Sequence, residues 1–187
     1  MTKTNNQNIA YISTFPPREC GIATFTADLT SAFDDLFAPQ LGSKIIAMNE
    51  NNVSTYVYPK KVIFQISQNN KNDYLETAKK INRKQNIKLI HIEHEFGIYG
   101  ENLGSNLLIF LAEIKKPVVV TMHTVLPKPT DEMKNVVNRI NDYSHLIFVM
   151  TKTSKEILVS DYGILAEKIR IVPHGIHPSS YLSLIHI

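Results

Sequence analysis

The side chains best suited to chemistry gather in three short segments: residues 15–22 (Phe-Pro-Pro-Arg-Glu-Cys-Gly-Ile), residues 93–100 (Glu-His-Glu-Phe-Gly-Ile-Tyr-Gly) and residues 122–124 (Met-His-Thr). In the first, Gly21 stands just ahead of an apolar helical stripe. A glycine there lets a ligand approach the backbone, and the free N–H groups of a helix start favour an anion such as a phosphate or diphosphate. The competing reading is a tight strand-to-helix turn with no ligand, since there is one glycine and no GxGxxG fingerprint. Arg18 could assist the anion or be solvated. Cys20 has no identifiable partner base and reads as a small packing residue.

In the second segment, His94 and Glu95 are a polar pair suited to sugar hydroxyls. Gly97 and Gly100 allow a close-fitting loop, and Asn102 is placed to cap the following helix. His91, one strand position set earlier, reads as a packed or edge residue. A His-Glu-x-x-His metal pattern would need a histidine at position 98, where Ile98 stands. In the third segment, His123 and Thr124 end a valine-rich run. A histidine emerging there can donate a hydrogen bond or stabilise developing charge; the plainer alternative is a ring satisfied by nearby backbone. His174, after Pro173, reads as an exit or linker residue.

Alternating strand-type and helix-type patterns must position these turns. Apolar runs at residues 9–14, 44–48, 62–66, 89–93, 117–122, 145–150 and 168–172 are strand candidates. Ile22, Phe25, Leu29, Ala32, Phe33 and Leu36 follow helical spacing, as do Tyr74, Leu75, Ala78 and Ile81, and then Met133, Val136, Val137 and Ile140. Residues 103–114 read as one helix. Thr130 is placed as an N-cap with Asp131 and Glu132 behind it. Thr153 and Glu156 match a capping box for a helix stopping near Gly163. Residues 49–60, rich in Asn with Tyr and one Pro, read as a long loop or irregular insertion. The fold class is α/β: a Rossmann-like parallel sheet of about seven strands with helices on both faces. In such a sheet ligands bind at the carboxyl ends of the strands, where the three segments fall.

Bulk properties narrow the function classes. The chain has 187 residues, enough for one domain with a full core, and 43% hydrophobic and 20% charged residues are ordinary for a globular protein. A net charge of +3 is too small to argue for nucleic acid, and the pairs Lys60-Lys61, Lys79-Lys80 and Lys115-Lys116 read as solvated edges. One cysteine excludes an internal disulfide and fits a reducing cytoplasm. The first eight residues lack the apolar stretch of a signal peptide, and the longest apolar run, residues 107–112, is far short of a membrane span, so any membrane contact is expected to be peripheral.

Taken together, residues 13–29, 93–100, 118–126 and 162–176 resemble glycosyltransferase family 4, the retaining enzymes of the two-domain GT-B fold. The resemblance covers about residues 9–178. It implies an N-terminal, acceptor-side domain over residues 1–178 and a nucleotide-sugar domain that would begin after Pro-His-Gly-Ile at 173–176. No segment here is assignable to that second domain. The resemblance also implies a nucleotide diphosphate-sugar as co-substrate, a carbohydrate or lipid-linked acceptor, no metal and no further cofactor. Gly21 and Ile22 would meet the donor diphosphate, and His123 would sit beside the transferred sugar. Arg18, His94, Glu95, Gly97 and Thr124 would line the cleft on the acceptor side.

Two departures from the family pattern stand out. Many members carry a Gly-Gly pair where this chain has Cys20-Gly21. Residues 179–187 do not look like the family, and Ser-Leu-Ile-His-Ile at the end resembles translated sequencing-adapter sequence, so a foreign tail is expected and His186 is given no role. The implied activity is hexosyl transfer by a longer protein, with this part inactive alone. The alternative is a stand-alone Rossmann-like module that binds a nucleotide or a partner, and a phosphorylase of the same architecture is not separable from this half.

Overall fold

A computed structural model describes residues 7–50 and 56–175. Seven strands form one sheet: β1 (Gln7–Ser13), β2 (Leu41–Asn49), β3 (Val62–Ser67), β4 (Ile87–His94), β5 (Val118–Met122), β6 (Leu146–Val149) and β7 (Ile169–Ile171). Their order is β3-β2-β1-β4-β5-β6-β7, and every neighbouring pair is parallel. The chain starts at the centre, runs out to β3, then crosses back to β4 and continues the other way. The direction reverses between β1 and β4, the kind of switch point at whose carboxyl ends α/β sheets open a crevice for a ligand. The three chemically notable segments leave β1, β4 and β5, the two strands of the reversal and the next one along.

Strict alternation along the strands separates two cores. On one face Ile12, Met48, Ile90, Ile92, Val120 and Ile147 pack against α2 (Lys71–Asn82), α4 (Leu107–Glu113) and α5 (Asp131–Tyr143), the helices contributing Tyr74, Ile81, Phe110, Val137 and Ile140. On the other face Tyr11, Ile45 and Ala47 pack beneath α1 (Gly21–Phe37) through Ala27 and Leu29. Each fully buried side chain of this size contributes roughly 1.5–3 kcal/mol of transfer free energy. The expected α/β parallel sheet with helices on both faces is therefore the observed one.

Two local expectations differ from the structure. The helix expected over residues 103–114 is interrupted. A short α3 (Glu101–Gly104) precedes α4, with Asn102 and Leu103 at φ of 53° and 58°. Gly100 (φ +87°) and Gly104 (φ +75°) bracket this turn, and a Cβ on Gly104 would lie 3.0 Å from the Phe96 carbonyl oxygen. Tight packing against residues 96–99 thus overrides helical propensity, and Asn102 lies within the turn and does not cap a helix. The second difference is at α6 (Lys152–Ser160). Its N-cap is Thr151, whose Oγ1 accepts from the Ser154 N–H at 3.0 Å, and not Thr153. Thr151 is extended (φ −132°, ψ 156°) where the chain leaves β6, the conformation an N-cap needs, whereas Thr153 is already helical. The irregular stretch expected over residues 49–60 is found where the structure describes it. Asn49 closes β2, residues 56–61 form the approach to β3, and residues 51–55 lie outside the described residues. Thr130 caps α5 as expected, accepting from the Met133 N–H at 3.2 Å.

One side chain ties the two diverging strands together. Tyr99 is fully buried, and its hydroxyl lies 2.9 Å from the Ile12 carbonyl oxygen and 2.8 Å from that of Glu93, donating across the ends of β1 and β4. Tyr99→Phe leaves both buried carbonyls without this donor. It is expected to cost about 1–3 kcal/mol in denaturant unfolding; a loss near zero would show that the hydroxyl does not brace the crevice.

Candidate functional site

The first wall of the crevice is the start of α1. Cys20 is its N-cap, extended at φ −159°, and its Sγ accepts from the Ala23 N–H at 3.4 Å while lying 3.0 Å from Thr14 Oγ1. The thiol thus stands where serine or aspartate usually does, a role that packing alone did not suggest. Thr26 donates to the Ile22 carbonyl at 2.8 Å, so the 2.6 Å contact between Thr26 Oγ1 and Ser13 Oγ takes its proton from Ser13. These bonds fix the first turn of α1 on the end of β1. The N–H groups of Gly21 and Ile22 make no hydrogen bond among the described residues. Gly21 does not have a positive φ, and a Cβ built on it would meet nothing within 4 Å. Neither backbone conformation nor packing within the chain requires a glycine here, but an approaching ligand would.

Arg18 is neither solvated nor aimed at this helix start. It is 8% exposed, donates from Nη1 to the Met48 carbonyl at 2.9 Å and pairs with Glu50 at 3.3 Å. It anchors the loop after β1 to the end of β2.

The second wall joins β4 to β5. His91, Glu93 and Glu95 share one face by alternation, and Glu93 is fully buried. Its Oε2 lies 2.9 Å from His123 Nε2, and its Oε1 lies 3.3 Å from His91 Nε2. His91 Nε2 is also 2.7 Å from Thr121 Oγ1, and its ring stacks on Tyr11 at 5.0 Å between centroids. Burial pushes the His91 imidazole below its ordinary pKa; the Glu93 carboxylate opposes that shift and His123 adds to it. The His123 ring meets the edge of Phe25, from the first turn of α1, at 4.8 Å, and its backbone N–H donates to the His94 carbonyl at 3.0 Å. Phe25 also touches the exposed ring of His174 at 5.2 Å. The expected linker histidine therefore sits beside the same cluster.

His94 differs from expectation. It lies on the opposite strand face, and its ring is sealed in the interior against Phe96 and Tyr99, with both ring nitrogens unpartnered among the described residues. Its side chain does not line the crevice. Burial pushes its pKa down to about 4, with His123 adding to the effect, so the ring is neutral in the fold. Glu95 does reach the loop edge. It accepts from the Phe96 N–H at 2.9 Å through one oxygen and from the Thr124 hydroxyl through the other, linking the loops after β4 and β5. Gly97 is exposed, with nothing within 4 Å of a built Cβ.

The structure thus brings Gly21, Ile22, His123, Thr124 and Glu95 to the strand ends, and sets Arg18 and the His94 ring back in the fold. Sequence reasoning missed Glu93 and Phe25. A carboxylate at the end of a buried parallel strand, two residues from a histidine on the same face and next to a second, was the available signal for Glu93. Two shallow depressions lie away from these ends. One is lined by Asn8, Asp34, Pro39 and Gly42, and the other by Lys71, Asn106, Ile109 and Arg139. The first sits at the amino ends of β1 and β2, where an α/β sheet does not present its ligand.

A doubly wound parallel sheet with an open helix start and a buried carboxylate–histidine pair at its reversal point defines a Rossmann-like α/β domain. Residues 22–180 match the family described as Glycosyltransferase Family 4, and the chain belongs to that family. Its fold is similar to the crystal structure of a glycosyltransferase from Rickettsia africae ESF-5, with a TM-score of 0.63 at 18% identity. That match covers 98% of this chain and 46% of the other, so the chain spans about half the length of that protein. No curated protein matches it. No helix among the described residues is long and apolar enough to cross a membrane, and no group of three or more potential metal ligands occurs among them.

The buried His94 gives a pH prediction. Its folded pKa lies below the ordinary value of about 6.5, so the unfolded chain takes up the proton first. The stability this confers is complete above about pH 6.5 and falls as pH drops toward 4, by about 3 kcal/mol. His91, shifted the same way, adds to the loss. In His94→Leu the His94 share of this slope should vanish in denaturant titrations across that window; an unchanged slope would contradict the neutral, buried ring.

Proposed function

We propose that the chain is the N-terminal, acceptor-side domain of a retaining glycosyltransferase. The longer protein moves a sugar from a nucleotide diphosphate-sugar to a hydroxyl of a carbohydrate or lipid-linked acceptor. Residues 1–178 form this domain, a second domain supplies most of the nucleotide contacts, and the chain alone is inactive. The setting is cytoplasmic, contact with a membrane is at most peripheral, and neither metal nor organic cofactor takes part. The observation that carries this reading is the convergence of the open Gly21–Ile22 helix start and His123 at the reversal point of a family 4 domain.

The chemistry follows from where charge develops. The bond from the anomeric carbon to the donor phosphate oxygen breaks, and the sugar passes through an oxocarbenium-like state. The acceptor oxygen bonds to the same face, and its proton goes to the departing phosphate, releasing a nucleoside diphosphate. The largest task is stabilising the negative charge on that diphosphate, to which the Gly21 and Ile22 N–H groups and the dipole of the 17-residue α1 contribute. His123 lies beside the transferred sugar and orients it or stabilises its positive charge. Closure of the second domain excludes water that would hydrolyse the donor. Thr124 and Glu95 face the acceptor side. Arg18 and the His94 ring serve the site from behind, by fixing its loops.

The test is the complete product of the reading frame, assayed for nucleoside diphosphate release with a panel of nucleotide-sugars. His123→Ala should lower kcat by about 100-fold or more, measured well below the melting temperature, which also falls because Glu93 loses its hydrogen-bond partner. Gly21→Ala should raise the KM for donor at near-native stability, since the added Cβ meets nothing within the chain. Wild-type turnover in His123→Ala would sink the assignment. A product that binds nucleotides but transfers no sugar would make the chain a binding module.

A further inference from the structure

Glu93 is a costly residue to bury. A carboxylate at 0% exposure needs a donor or a counter-charge, and its ion-pair partners among the described residues are the two histidines. The two carboxylate oxygens are not equivalent. Oε2 has His123 Nε2 at 2.9 Å, whereas Oε1 has His91 Nε2 only at 3.3 Å and no hydrogen bond, because that nitrogen is closer to Thr121. The carboxylate is committed to His123. When Glu93 is ionised its carboxylate only accepts, and Nε2 of His123 then carries the proton. Nδ1 of His123 makes no hydrogen bond among the described residues, and it is not one of the sealed, unpartnered atoms as both nitrogens of His94 are.

We propose that Glu93 is the positioning residue of His123: its carboxylate accepts the Nε2–H, fixing ring orientation and tautomer so that Nδ1 is the nitrogen offered at the strand ends. The inference rests on the reading of His123 as the residue beside the transferred sugar. It assigns which ring atom meets a sugar hydroxyl or the developing charge. With Nδ1 unprotonated, the ring presents a lone pair to a sugar hydroxyl or to positive charge; when the ring is charged, Nδ1 becomes a donor. The backbone holds Glu93 still, because Tyr99 grips its carbonyl at 2.8 Å and β5 pairs beside it through Thr121. Phe25 limits ring rotation from the α1 side. The titratable groups facing the pair are His91 on β4, Tyr11 on β1, Tyr99 in the loop after β4, and His174 across Phe25.

Ring nitrogen-15 shifts of His123, measured on this chain at neutral pH, test the pair directly. Wild type should show a protonated Nε2 and a bare Nδ1. In Glu93→Gln the amide can offer N–H as well as C=O, so the two tautomers should mix; Glu93→Asp should restore part of the wild-type preference. In the complete protein, Glu93→Gln should lower kcat about 10- to 100-fold, as for other carboxylate-oriented histidines, with donor KM within about twofold. An identical tautomer ratio in wild type and Glu93→Gln overturns the proposal. Should Glu93→Gln fail to fold, a protonated Nδ1 in wild type overturns it equally. A tautomer shift in a protein that transfers no sugar upholds the role of Glu93 and overturns the transferase reading instead.

Discussion

A carboxylate buried at the point where the sheet reverses constrains everything around it. Glu93 occupies the last turn of the pleat in β4, a position that in a two-sided parallel sheet normally holds valine or isoleucine. Burial of an unpaired charge there would cost several kcal/mol, so neighbouring strands must supply partners. β5 answers with His123 and Thr121, β4 itself with His91, and β1 with the ring of Tyr11 that stacks on His91. The polar cluster is therefore a joint property of three adjacent strands, and their parallel register decides whether it exists. Thr121 pairs with Glu93 in the β4–β5 register, which puts His123 one step beyond it on the same face.

The same reversal creates the opening that the cluster faces. Strands β1 and β4 are neighbours, yet the chain leaves them in opposite directions, into α1 and into the turn at 95–104. Tyr99 holds their ends together from below while Cys20, Ser13 and Thr26 fix the first turn of α1. The result is a rigid floor with two unlike chemical features on its rim. One is a pair of backbone N–H groups suited to an anion. The other is a histidine held by a carboxylate. The proposed function assigns both features to one donor molecule, its diphosphate at the N–H groups and its sugar at the histidine.

Much of this was legible in the residues. The seven apolar runs, the α1 stripe and the glycine turn gave the α/β class and the strand ends, because a 2.0 or 3.6 period is a local property. The placement of Gly21 and His123 at strand ends was readable, because backbone position sets it. Placement was not readable where three-dimensional packing decides. His94 and Glu95 are adjacent in sequence, yet one ring is driven into the core and the other carboxylate reaches Thr124, because neighbours in a strand point to opposite faces. Arg18 was ambiguous for the same reason: its partners, Met48 and Glu50, lie about thirty positions away. Asn102 and Thr153 were misplaced by local rules that tight contacts around Gly104 and the exit of β6 overrode.

The most direct measurement is a structure of the complete protein with a nucleotide diphosphate-sugar bound. The account predicts the diphosphate against the Gly21 and Ile22 N–H groups, the sugar in contact with His123, and Glu93 still joined to Nε2 of that ring. A donor bound elsewhere, for example in the depression beside Asn8, Asp34 and Gly42, with His123 untouched, would contradict it.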